Sequence, residues 1–82
     1  MMIPLNTLLQ GQSGLIGNLD GGRRFVSRLA ALGFTPGAAI TMMRNYGHGP
    51  VIVAVRGAQI ALGRGEASHV LVHPTEENDG AL

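Results

Sequence analysis

Between Leu32 and Ala38 the chain reads Leu-Gly-Phe-Thr-Pro-Gly-Ala, and a segment punctuated in this way must turn sharply. Gly33 follows a leucine-rich helical run and can take the left-handed conformation that closes a last turn, placing Phe34 against Leu29 in a Schellman-type ending. In Thr35-Pro36-Gly37-Ala38, proline presets the second turn position and glycine supplies the positive φ of the third. A helix therefore precedes the corner and a new direction follows it. The helix is predicted over Gly21 to Leu32, with Asp20 as its cap, because a carboxylate there accepts from the unpaired N–H groups of the first turn. Phe25, Val26, Leu29 and Leu32 share one face, while Arg24 and Arg28 stand on another.

Beyond the corner the apolar segments are short. Strands are predicted at Ala39 to Asn45, Val51 to Val55, Ala58 to Leu62 and Val70 to His73. Arg56-Gly57 is short enough for a tight hairpin. Val51 to Val55 has no polar face, which predicts a strand buried on both sides or covered by a partner. Gly63 to Ser68 suits a single turn. Before the helix, Ser13 to Leu19 reads as a bent or bulged strand, because Gly14 and Gly17 interrupt its aliphatic residues. About five short strands and one short helix inserted after the first describe a mainly β fold, a small, partly open SH3-like β-barrel, with an OB-fold as the nearest competitor. Residues 1–74 form the single domain, and residues 75–82 are read as a flexible tail because they offer little to bury.

Eighty-two residues without a cysteine have no disulfide or thiolate-zinc staple, so stability must come from apolar packing. The longest aliphatic run, Val51 to Val55, falls far short of the roughly 18 residues of a membrane span. The amino terminus shows neither a basic region nor a long apolar one, so no signal peptide is read and a cytoplasmic location is expected. Six arginines against five acids give a net charge of +1, too little for a whole-protein footprint on nucleic acid.

Catalytic chemistry is not expected. Ser13, Ser27 and Ser68 lack an Asp-His signature, and thirteen glycines with no lysine form no phosphate-binding loop. His48, His69 and His73 are the only imidazoles. On one strand, His69 and His73 would lie about 13 Å apart at 3.3 Å per residue, too far to share an ion. No cofactor is required on this reading, and any divalent metal would be adventitious or gathered between subunits by those histidines. Arg23, Arg24 and Arg28 could meet phosphate. Tyr46 is the only aromatic side chain not wanted in the core, however, so no stacking platform for RNA is visible. A small RNA-binding barrel remains the alternative reading.

Several residues in order carry a resemblance over Leu8 to about Val72: Leu8 and Gly11, Ile16 and Leu19, Arg28-Leu29, Leu32-Gly33-Phe34 with Pro36-Gly37, Gly49-Pro50-Val51, Val55-Arg56-Gly57, Ile60-Ala61-Leu62, Glu66-Ala67 and Val70-Leu71-Val72. The pattern resembles the FeoA family, small cytosolic partners of the bacterial ferrous iron transporter FeoB. It implies an SH3-like fold, similar also to the carboxy-terminal domain of DtxR-type iron-dependent repressors. It further implies a non-enzymatic accessory protein that binds FeoB or its cytosolic GTPase region and supports Fe(II) uptake, reaching the membrane only through that partner. On this reading the expected contacts are Arg24, Arg28, Leu32 and Phe34 at the helix corner, with Tyr46 and Val51 from the following loop and strand. Nucleic acid is not an expected partner, and self-association through a sheet edge is a further expectation.

Overall fold

The chain is described over residues 1–75 by a computed structural model. Strand β1 spans Ile3–Pro4 and leads into a 3-10 turn over Leu5–Thr7. The order continues through β2 Ser13–Leu19, helix α1 Arg23–Ala31, β3 Ala39–Arg44, β4 Val51–Val55, β5 Ala58–Leu62, helix α2 Arg64–Ala67 and β6 Val70–Pro74. The six strands form one antiparallel sheet in the order β1-β6-β2-β3-β4-β5, and it does not close into a complete barrel. The expected partly open, mainly β architecture is present, with two additions. A two-residue strand precedes β2, so α1 follows the second strand and not the first. Gly63 to Ser68 contains a short second helix.

The corner forms by local chemistry. Phe34 N–H donates to Leu29 O and Gly33 N–H to Ala30 O, both at 3.0 Å, the paired bonds of a Schellman ending, with Gly33 at φ 103°. Ala38 N–H then donates to Thr35 O at 3.0 Å across a turn with Gly37 at φ 88°. Gly37 N–H reaches Ile16 O at 2.7 Å, which welds the corner to β2.

The start of α1 departs from expectation. Its cap is Gly22, with no side-chain bond, and the helix begins at Arg23. Asp20 lies two residues too early, where its N–H donates to His69 O at 2.7 Å as β2 ends. Gly21 lies against the Phe25 ring, which would stand 2.5 Å from an added Cβ.

One core fills the inner face of the sheet. Leu5, Leu8, Ile16, Leu29, Phe34, Ile40, Met42, Val53 and Val72 are among its buried members. In β4, Val51, Val53 and Val55 are buried whereas Ile52 and Ala54 are only half-buried, so an all-apolar sequence still presents two unequal faces. The same one-sided burial leaves Leu15 and Met43 exposed on strands β2 and β3. In β2 the register with β6 shifts between Ile16 and Asn18, a bulge at Gly17. The expected tail begins differently: Thr75 is anchored, its N–H donating to Ser13 O at 3.0 Å. Residues 76–82, the rest of that tail, lie outside the described residues.

Candidate interaction surface

Helix α1 buries Leu29 and packs Phe25 against the core. Its exposed side carries Arg23, Arg24 and Arg28, together with Leu32, which is 44% exposed. Leu32 was expected on the packing face. As the residue capping the helix end, it instead lies beside the arginines at the corner. Among the described residues Arg24 has no ion-pair partner, whereas Arg28 donates to the Glu66 carboxylate of α2. That guanidinium, followed by the Gly63 N–H, holds the Glu66 carboxyl below its usual pKa.

Helix α2 links this face to a second one. Arg64 Nη2 donates to Asn45 Oδ1 at 2.7 Å and Arg64 Nε to Gly49 O at 3.1 Å. Asn45 is itself a hub: its Nδ2 donates to Leu8 O at 2.8 Å and Asn6 O at 3.1 Å, while its Oδ1 also accepts from Gly47 N–H at 3.0 Å. The segment from Asn45 to Pro50 is thus fixed from both sides, and on it Tyr46 stands 63% exposed with its hydroxyl accepting from Arg44 at 2.8 Å. A large aromatic on an ordered loop beside an arginine has the composition of an interface anchor.

Two of the expected contact residues do not belong to any surface. Phe34 and Val51 are both 0% exposed, sealed in the core by the helix ending and by the inward face of β4. They shape the corner and the loop from beneath and cannot touch a partner. Arg24, Arg28 and Leu32 stand together on α1, while Tyr46 lies on the separate loop joined to them through α2. Asn45, Arg56, Arg64 and Glu66 were missed as organising residues. The only local signal was Asn45 two residues before Gly47, a spacing that suits an Asx-type turn.

The histidines are dispersed. His48 is exposed on the glycine-flanked loop, and His69 packs edge-on against Phe25 with ring centroids 6.0 Å apart. His73 lies over Gly17, where its Nε2 would stand 2.9 Å from an added Cβ. Among the described residues no three His, Asp or Glu side chains gather as a metal site would require. No described helix is long and apolar enough to cross a membrane.

Residues 3–74 match the FeoA domain family. A Methanocaldococcus jannaschii protein whose name places it in Fe(2+) transport, as protein A, is 33% identical over 75 residues, covering 92% of this chain and 90% of that one. The crystal structure of an iron uptake regulatory protein, FeoA, superposes with a TM-score of 0.85 at 35% identity, covering 92% of this chain and all of the other. Stenotrophomonas maltophilia FeoA, crystallised with zinc, is 27% identical over 88% of each chain, with a TM-score of 0.75. A manganese-dependent transcriptional repressor shares the fold at 18% identity and a TM-score of 0.83, through 37% of its own length.

Proposed function

Because this chain belongs to the FeoA family, we propose that it docks, through the exposed face of α1, on the cytosolic GTPase region of a FeoB-type ferrous iron transporter. The protein is a non-catalytic accessory module of ferrous-iron transport. The observation that carries the docking assignment is the stripe of Arg24, Arg28 and Leu32, in which two cations lead to an exposed leucine at the end of a helix closed by its own corner. Tyr46, presented by the Asn45 and Arg64 network, supplies a second contact at the far side of α2.

Such a module acts by differential affinity. It shifts a transporter or its nucleotide cycle only as far as it binds one state better than another. The cytosol is the compartment that this docking requires. Docking needs no ion, and a divalent metal shared between subunits would draw on exposed His48, His69 or His73.

Titration of the purified chain against the GTPase region, with and without a GTP analogue, tests this reading. Saturable binding that Arg24→Glu abolishes, with the fold retained, is the expected result. Steeply salt-sensitive binding to an unstructured RNA, with none to the GTPase region, would replace it by the nucleic-acid alternative.

A further inference from the structure

The two edges of the sheet are unequal. Strand β1 is two residues long and ends in Pro4, a protected edge. Strand β5 pairs with β4 through five unbroken positions, from Val51↔Leu62 to Val55↔Ala58, and among the described residues no other strand adjoins it. It contains no proline, no charge and no bulge, so the strand itself carries none of these protections.

Geometry fixes which of its groups are free. A two-residue hairpin, here Arg56 at φ 49° and Gly57 at φ 81°, makes Val55 and Ala58 a hydrogen-bonded pair. Alternation then turns the N–H and C=O of Gln59 and Ala61 away from β4. Both residues are exposed, and among the described residues no backbone bond from another element reaches them. Between them, Ile60 points inward and packs on the core, which holds the strand in place.

Charge selects the occupant. Arg56 precedes β5 by two residues and Arg64 follows it by two, and residues 1–75 carry six arginines against two acids, Asp20 and Glu66. Antiparallel pairing of two copies about Ile60 would set Arg56 against the other copy's Arg64 at both ends of the added strand. Like charges at both ends oppose self-pairing. Arg56 is held by Gly33 O and Thr35 Oγ1 and Arg64 by Gly49 O and Asn45 Oδ1, all neutral acceptors. Both therefore keep a positive charge that no described acid compensates and that favours an extended segment with acids at its ends.

We infer that β5 accepts, by strand addition, an extended segment of a partner protein whose apolar and β-branched centre is flanked by acidic residues. The surface is separate from the α1 face, and its test does not rely on docking there.

The test uses the isotope-labelled full chain and an end-blocked peptide, Asp-Glu-Thr-Val-Thr-Val-Thr-Glu-Asp, with a second version in which lysines replace the acids. The acidic peptide is expected to shift the Gln59 and Ala61 amides saturably and to slow their exchange with solvent. The lysine version should bind about tenfold more weakly or worse. Gln59→Pro removes an outward N–H while sparing the β4 ladder and should abolish the response. Ala61→Glu, an exposed change that repels the acids, should weaken it and decides the matter if the proline variant fails to fold. Absence of shifts with the acidic peptide, or equal binding of both peptides, overturns the proposal. So does movement of the same amides with protein concentration alone, which would make a second copy the occupant.

Discussion

Arg28 on α1 donates to the carboxylate of Glu66 on α2 across 38 residues of sequence. The same carboxylate accepts the Gly63 N–H at 3.3 Å, so one acid both starts the short helix and ties it to the longer one. Gly63 has no side chain to complete a capping box, which leaves Glu66 as the whole of the cap.

A pH dependence follows from that tie. The folded-state pKa of Glu66 is lowered, first by the Arg28 bond. Its contribution to stability is therefore fully present above the ordinary glutamate value of about 4.3 and is lost as pH falls through the lower folded value. Urea unfolding of the wild type and Glu66→Gln should show a gap at neutral pH that closes in acid. Added salt should narrow the gap as well, since Arg28 is more than half exposed.

Surface and core at the corner separate cleanly by mutation. Arg24→Glu touches no described ion pair and should change stability by no more than about 0.5 kcal/mol, yet abolish docking. Phe34→Ala empties a fully buried site and should cost about 3–5 kcal/mol. Denaturant melts beside binding titrations distinguish a lost contact from a lost fold.

Glycine substitutions should move stability in opposite directions. Gly33→Ala forces a Cβ at φ 103° and should destabilise by about 1 kcal/mol or more. Gly14→Ala drives a Cβ to 2.7 Å from the His73 carbonyl oxygen, a backbone atom that cannot step aside. Gly65→Ala enters open space within α2 and should stabilise by about 0.4–1 kcal/mol. Thermal melts of the three single variants check the ordering.

Removing the Asn45 hub should loosen the loop that presents Tyr46. Asn45→Ala leaves Leu8 O, Asn6 O and the Gly47 N–H without their shared partner and should cost about 1–3 kcal/mol. Faster amide exchange at Gly47, with that of Val53 scaling only with global stability, would locate the effect in the loop.

Local chemistry made the middle of this fold legible. The Gly33 ending, the Pro36-Gly37 turn and the Arg56-Gly57 hairpin each need only neighbouring residues, and the strands Ser13–Leu19, Val51–Val55 and Ala58–Leu62 form at their expected bounds. What escaped depends on distant partners. Leu5 and Leu8 enter the core through a turn too short to show a period, and Asp20 gives up capping because β2 and His69 hold its backbone. The surface was legible only in part, because an apolar residue beside a glycine corner can face either way. Leu32 faces outward and Phe34 inward, one position on each side of Gly33. The Arg64 and Asn45 network joins residues 19 apart, and no local pattern announces it.

Arg56 sits at the hairpin tip, and its guanidinium donates to Gly33 O at 3.2 Å and to Thr35 Oγ1 at 2.7 Å. These bonds span 23 and 21 residues, so they brace a locally closed helix ending only once the β4–β5 hairpin is in place. The tie between corner and hairpin should therefore form late in folding, and in native-state exchange the amides of Phe34 and Ala58 should open as one cooperative unit. A partner that grips α1 would thereby restrain the far edge of the sheet without touching it.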